Sequence, residues 1–559
     1  MNRNVESHFS LAPQASIKRS SFDMSHTHKT TFNAGDIIPL DWQEVLPGDT
    51  FSYDTSFVAR MTTPIFPVMD NCYLDYYYFF VPNRLLWEHW EQFCGANDDI
   101  TAWEQPVTYE IPQITAPSST GWTEGTLADY MGIPTNVSNF SVSALPFRAY
   151  AKIYNDWFRD ENVTSPCNLS LTDTTQAGSN GTTTVTDVEL GGAPAKASKY
   201  HDYFTSALPF VQRGPAVTIP LGTSAPIYGN GGSVQFSDSS DHGPIRMYAA
   251  STMAVNGTST TTSINKSATD SISSGYSYQF PTKSASFSSN IYADLSEATA
   301  STINELRQAF QIQRLYEATA RSGARYIEIL KGLFGVDSPD ARLQRSEYLG
   351  GKRVPINIQQ VLQTSSTDST TPQGNTAAYS LTADRASSFT KSFVEHGILM
   401  CLGVVRTQHT YQQGLEQKWT RKRRFDFYYP QLAHLGEQPI KNKELYLQGS
   451  TVVNASTGVA YDEEVFGYQE AWATYRYQNN RVSGLFRSNA TGTLDAWHYA
   501  DNYAAMPTLT SAFIEEPKSN IQRTLAVSGE DQFIIDCYFK CKAVRPMPMY
   551  SVPGLIDHN

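Results

Sequence analysis

QFIIDCYFKCKAV, residues Gln532 to Val544, alternates without a break. Phe533, Ile535, Cys537, Phe539 and Cys541 share one face, and Asp536, Tyr538, Lys540 and Lys542 share the other. Period two is the spacing of a strand that buries one side and wets the other. A matching strand stands near the opposite end of the chain. FSYDTSFVAR places Phe51, Tyr53, Thr55, Phe57 and Ala59 on one face, and Pro47-Gly48-Asp49 before it is turn chemistry. Two half-buried strands so far apart in sequence point to non-local antiparallel pairing, as in a sandwich or jelly roll that closes its first and last strands together.

Between these ends the pattern stays mainly β. CYLDYYYFFV, Cys72 to Val81, is an aromatic run broken by one Asp, the signature of a strand buried on both faces. GILMCLGVV, within Phe393 to Thr410, is an apolar run of strand length. Short helices are expected in two places. One is capped by Asn83, with Leu86, Trp90 and Phe93 on one face and Gly95 ending it; the other spans Leu145 to Asp160. The best helix starts at the Thr302/Glu305 capping box and carries Leu306, Phe310, Leu315, Ile327, Leu330 and Leu333, with Gly323 as its weak point.

Three segments read as irregular. The first 35 residues are polar and read as an arm ordered only by docking on something. Residues 164–192 read as loop. Residues 228–290 are rich in Ser and Thr, yet Tyr248, Tyr276, Tyr278 and other apolar residues interrupt them. A linker has no need of such residues, so a surface insertion that folds against itself or a neighbouring chain is favoured over a mobile linker.

Composition narrows the function. Of 559 residues, 12% are aromatic and only 17% charged, which argues against disorder and against a coiled coil. No run of about 18 apolar residues exists, and the first residues hold no apolar core, so neither a membrane span nor a secretory signal is expected. Six scattered cysteines without C-x-x-C spacing read as reduced, mostly buried thiols. A net charge of −12 excludes general nucleic-acid binding through the overall field; contact with nucleic acid then needs a local basic patch or a basic partner.

Metalloprotease, nucleophile-elbow, phosphate-loop and dinucleotide signatures are all absent from the sequence. His26 and His28 have no Cys or carboxylate cluster beside them in the sequence and read as part of the arm, not as metal ligands. Asp495, His498 and Asp501 read as hydrogen-bonded packing residues rather than acid–base groups. The informative motif is KWTRKRRF. Lys418, Arg421, Lys422, Arg423 and Arg424 lie among Trp419 and Phe425. Cations neutralise phosphates and rings stack on unpaired bases; Arg equally pairs with carboxylates across a subunit interface. Spacing alone leaves both open.

Five segments in order resemble one family. They are HKTTFNAGDIIPLDWQEVLPGDTF (28–51), ARMTTPIFPVMDNCYLDYYYFFVPNRLLWEHWEQFCG (59–95), RFDFYYPQLAHLGEQPIKNKELY (424–446), EVFGYQEAWATYRYQNNRVSGLFRS (464–488) and DQFIIDCYFKCKAVRPMPMYSVPGLIDH (531–558). Together they resemble the major capsid proteins of gokushoviruses, bacteriophages of the Microviridae with circular single-stranded DNA. The resemblance implies a non-enzymatic subunit over residues 1–559. Its fold would be an eight-stranded antiparallel jelly roll with long loop insertions, a few helices and an N-terminal arm over residues 1–35. It implies self-assembly into a small icosahedral shell around packaged DNA, with 228–290 projecting at the three-fold axes toward a host cell-surface receptor. The implied partners are an internal scaffolding protein, a small basic DNA-binding protein and a DNA pilot protein. No cofactor is implied; the location would be the virion, assembled in the bacterial cytoplasm. The alternative from another class is a carbohydrate-binding or depolymerase β-sandwich, which predicts a cleft holding two carboxylates at catalytic spacing. A tail-fibre trimer would usually carry sequence repeats, and none is found.

Overall fold

Side-chain alternation decides which strand face meets the core, and the longest strands show it residue by residue. The computed structural model describes residues 18–96, 109–218, 227–229, 291–293, 303–367, 372–385, 389–527 and 529–551. The chain begins with strands β1 (Ser20–Asp23), β2 (His26–Phe32), β3 (Ile38–Val45), β4 (Thr50–Met61) and β5 (Cys72–Pro82). Helices α1 (Leu145–Ile153) and α2 (Ile303–Ser322) follow. Next come β6 (Glu347–Pro355), the hairpin β7 (Ile358–Leu362) and β8 (Thr376–Ser380), β9 (Thr382–Arg385), β10 (Phe389–Ser392) and β11 (Gly397–Thr407). A small hairpin, β12 (Glu437–Lys441) with β13 (Val465–Glu470), precedes the last strand, β14 (Phe533–Arg545).

These strands build two principal antiparallel sheets. In the first, β14 is flanked by β1 and β2 on one side and by β4 on the other, and β9 and β10 lie along the far side of β4. Cys537 stands opposite both His28 and Phe57, so the two ends of the chain meet at the centre of this sheet. In the second, the order is β6-β5-β11-β3. Pro47-Gly48-Asp49 carries the chain from β3 in the second sheet to β4 in the first; Gly48 takes a left-handed φ of +90°, and Asp49 accepts the Leu46 N–H at 2.9 Å.

The main core lies between the sheets. Phe51, Tyr53, Phe57, Phe533, Ile535, Cys537 and Phe539 from the first meet Leu74, Tyr76, Tyr78, Phe80, Leu399 and Cys401 from the second. Phe80 and Phe393 pack with ring centres 4.5 Å apart, and Tyr53 stacks on Phe389 at 5.5 Å. Each such buried ring contributes about 1.5–3 kcal/mol of transfer free energy. A second core covers the other face of the second sheet. There Phe79, Val81, Met400, Leu402 and Val404 pack against Trp87, Trp122 and α1 residues Phe147 and Tyr150. A sheet covered on both faces explains why β5 and β11 are nearly continuous apolar runs. The buried Arg148 of α1 donates to the carbonyls of Leu86 (3.1 Å) and Thr172 (3.0 Å), and Glu189 lies 3.8 Å from its Nε. This layer therefore holds a cation inside it beside a counter-charge, with Nε itself not hydrogen-bonded among the described residues.

Several expectations change in extent. Of the arm expected over 1–35, residues 1–17 lie outside the described residues; from Ser20 the chain is strand, not arm. β2 alternates His26, His28, Thr30 and Phe32 toward the core, which its polar composition concealed. The helix expected around Leu86 to Phe93 is a single turn, Trp90–Phe93, after a 3₁₀ turn, Asn83–Leu85. Trp87 is drawn into the second core, and its Nε1 donates to Asp173 at 2.5 Å. Residues 164–192 are largely loop, but Cys167 and Val188 are buried in that core. The long helix breaks at Gly323 (φ +114°) and resumes at Tyr326–Ile329, continuing as a π-helical turn over Leu330–Phe334; Thr302 lies outside the described residues.

The chain divides into two compact units, Met1–Arg213 with Glu317–Asn559, and Gly214–Tyr316. Both principal sheets belong to the first. In the second, Ile227–Gly229 pairs antiparallel with Ile291–Ala293, bracketing residues 230–290. The expected insertion, with Tyr248, Tyr276 and Tyr278, therefore falls almost wholly outside the described residues. Among the described residues, no helix is long and apolar enough to cross a membrane.

Candidate interaction surface

The basic run lies on the connection between β11 and β12, and one carboxylate folds it. Asp426 accepts the backbone N–H groups of Lys422 (2.8 Å) and Arg423 (2.7 Å), which hold its carboxyl below the usual range. Single 3₁₀ turns at Gln417–Trp419 and Arg424–Asp426 bracket the run.

The cations are not equivalent. Lys418 pairs with Glu416. Arg421 donates to Thr474 Oγ1 at 2.9 Å, and its guanidinium lies 4.1 Å from the centre of the Tyr475 ring. Lys422, Arg423 and Arg424 are exposed, and among the described residues none has a carboxylate partner within ion-pair distance. Trp419 and Phe425 are 72% and 68% exposed. The structure thus brings all six residues expected here, Lys418, Trp419, Arg421, Lys422, Arg423 and Arg424, onto one loop. Arg424 lies over the Phe425 and Tyr429 rings at 5.7 and 5.6 Å, and Lys422, Arg423 and Arg424 keep no carboxylate partner among the described residues.

Sequence reasoning missed the facing loop. Trp472, Tyr475 and Tyr477 pack beside the basic run; Tyr428 lies 5.8 Å from Trp472 and 6.3 Å from Tyr475. A groove of about 420 Å³ joins the two loops, lined by Trp419, Asn479, Asn480, Arg481 and Arg487. The signal was present in WATYRYQNNRVSGLFR, which interleaves Arg with rings as the basic run does, but more sparsely. Exposed rings beside uncommitted guanidinium groups suit burial against another macromolecule, either bases and phosphates or a protein face.

The groups weighed for chemistry are committed elsewhere. His498 accepts the Ala500 N–H at Nδ1 (3.1 Å) and its Nε2 meets the Phe486 carbonyl at 2.6 Å; burial lowers its pKa. Asp501 meets His409 Nδ1 at 2.7 Å and accepts from Asn520 at 2.8 Å. His26 contacts Asp41 at 3.0 Å, and that hydrogen bond raises its pKa to about 9; His28 contacts the Leu40 carbonyl at 2.8 Å. Among the described residues no three His, Cys, Asp or Glu groups gather as metal ligands. A cleft of about 760 Å³ is lined by Glu161 and Glu328, with Asp160 and Glu470. Glu161 accepts the Ala324 N–H at 2.6 Å, and Glu328 accepts the Arg325 N–H at 3.0 Å, so both carboxylates close the break after α2.

Paired antiparallel sheets and an exposed Arg–aromatic surface define a structural β protein built to contact other macromolecules. The comparisons agree and are more specific. The chain belongs to the capsid protein (F protein) family, whose profile matches residues 10–555. It is 42% identical to capsid protein VP1 of Chlamydia phage 1, over 99% of this chain and 98% of that one. It is 41% identical to capsid protein VP1 of Spiroplasma virus 4 (98% and 97% covered) and 42% identical to that of Bdellovibrio phage phiMH2K (99% and 98%). The gokushovirus resemblance therefore holds along nearly the whole chain, and its role is structural, not enzymatic. The depolymerase alternative is set aside on this finding.

Proposed function

We propose that this major capsid protein assembles into a small icosahedral shell enclosing circular single-stranded DNA. The observation that carries the proposal is full-length similarity to named capsid proteins at about 42% identity. The fold supports it. The order β1/β2-β14-β4-β9/β10 facing β6-β5-β11-β3 supports reading the two sheets as a jelly roll of eight strand positions, with β1 and β2 sharing one position and β9 and β10 another. Large exposed rings such as Trp419, Phe425 and Tyr477 suit a subunit completed by neighbours, because aromatic and Arg side chains dominate interface energetics.

In this reading, residues 228–290 project at the three-fold axes and recognise the host, with Tyr248, Tyr276 and Tyr278 as contact residues. Lys418 to Arg424 line a subunit interface or face the DNA. An acidic chain profits from a small basic DNA-binding protein during packaging; scaffolding and pilot proteins complete the set of partners, and the finished protein resides in the virion. The test is sedimentation of the protein from cells carrying its native genome, with negative-stain imaging of the fast fraction. Uniform icosahedral particles containing DNA are expected. A monomer or trimer, in a lysate where the other structural proteins are present, overturns the proposal.

A further inference from the structure

The two sheets differ in what covers them. Both faces of the second are buried, but among the described residues nothing packs over the outer face of the first. Along β14, Ile534, Asp536, Tyr538, Lys540 and Lys542 are exposed; β4 adds Ser56, Val58 and Arg60, and β2 adds Thr27, Lys29 and Thr31. We infer that this face is a binding surface for single-stranded nucleic acid. The inference rests on the shell reading above, which supplies such a strand inside the particle.

Charge is the first argument. Arg19, Lys29, Arg60, Arg385, Lys540 and Lys542 lie on or at the rim of the face, against Asp23, Asp54, Asp536 and Asp531, the last accepting from Thr31 (2.5 Å) and Asn33 (2.9 Å), in a chain of net charge −12. Two of the carboxylates are engaged by cations of the same face: Arg385 Nε donates to Asp54 at 2.8 Å, and Lys29 lies 3.4 Å from Asp536. Asp23 turns to Ser25, whose N–H it accepts at 3.0 Å. Among the described residues, Arg60, Lys540 and Lys542 then have no ion-pair partner. Lys540 and Lys542 are two residues apart on one strand, so they rise from the same face about 7 Å apart.

The second argument is the ring at the centre. Tyr538 is 45% exposed, and its cross-strand neighbours are Thr27 on β2 and Ser56 on β4. Both are short hydroxyl residues, so neither covers the ring. An exposed ring on a strand, bordered by uncommitted cations, is the arrangement by which sheets hold unpaired bases: stacking is indifferent to sequence and cations follow the backbone. A face built for protein would be depleted of charge at its centre.

The test uses DNA-filled particles from cells carrying the native genome. Ultraviolet crosslinking followed by digestion is expected to place nucleotide adducts on the β14 peptide at Tyr538, and Tyr538→Leu particles are expected to lose them. Lys540→Gln with Lys542→Gln is expected to leave particle yield unchanged while DNA retained at raised salt falls about tenfold, since fewer counterions are displaced. Full particles whose adducts all lie elsewhere overturn the inference. So does unchanged DNA retention in the double variant, or an amine crosslink from Lys540 or Lys542 to a second copy or another protein in place of DNA contact. If the unsubstituted chain forms no DNA-filled particle, the shell reading falls and takes this inference with it, an outcome distinct from full particles without β14 adducts.

Discussion

His409 is buried between two carboxylates. Nδ1 lies 2.7 Å from Asp501 and Nε2 2.9 Å from Glu516, with Lys199 3.8 Å beyond Asp501. Burial would lower the imidazole pKa, but the two carboxylates outweigh it and raise the value to about 10. Burial would likewise raise Asp501, yet His409 and Lys199 bring it down to about 2. Replacing His409 with Leu leaves two buried carboxylates facing each other. The expected loss is about 3–5 kcal/mol of unfolding free energy near neutral pH, read from denaturant midpoints of the full chain. The sign of the pH dependence follows from the raised pKa. The histidine's contribution is fully present below its ordinary value of 6.5 and is lost as pH rises through about 10, so wild type and variant are expected to converge over that window. Asp501 acts at the other end: its contribution holds above 3.8 and is lost as pH falls through about 2. A gap between wild type and variant that stays constant from neutral pH to 10 contradicts this account.

At the scale of the element, β14 makes the sharpest comparison because adjacent residues have opposite surroundings. Phe539 is fully buried and contacts His26 with ring centres 5.2 Å apart, whereas Tyr538 faces outward. Phe539→Ala is expected to cost about 3–5 kcal/mol through lost burial and a cavity. Tyr538→Ala is expected to change stability by about 0.5 kcal/mol at most, as for other surface sites. Equal losses at both positions contradict the assigned register. This strand was legible in advance, because one unbroken alternation sets its faces. β2 was not: HTHKTTF carries one apolar residue, and its inward positions are filled by histidines whose partners, Asp41 and the Leu40 carbonyl, arrive from another sheet. α2 was legible in its break at Gly323, but not in its surroundings; Phe310 is 62% exposed, so among the described residues nothing packs over this part of its apolar stripe.

For the whole molecule, the consequences concern assembly. Deleting residues 230–290 and joining the flanking ladder is expected to leave particle formation intact and abolish adsorption to the host, measured by particle sedimentation and cell binding. Adsorption at wild-type level contradicts the assigned role of the insertion. Replacing Arg421, Lys422, Arg423 and Arg424 with Ala separates two outcomes for the basic loop. A fall in the ratio of full to empty particles assigns it to DNA, and loss of particles altogether assigns it to the subunit contact. Normal yields of both remove it from either role.

Period-two alternation at both ends of the chain, the absence of catalytic spacing and the ordered similarity of five segments were enough to state a β shell subunit from residues alone. Those features are local, or depend only on order along the chain, so one dimension carries them. Which cations stay uncommitted is different. Lys418, Arg421, Lys540 and Arg385 look alike in sequence, yet Glu416, Thr474 and Asp54 engage three of them and leave Lys540 without an ion-pair partner among the described residues. The pairing of β2 with β14 and the facing of Trp419 by Arg481 likewise join residues far apart in the chain. Such commitments depend on through-space distance, which the closing of the two sheets sets and no sequence period encodes.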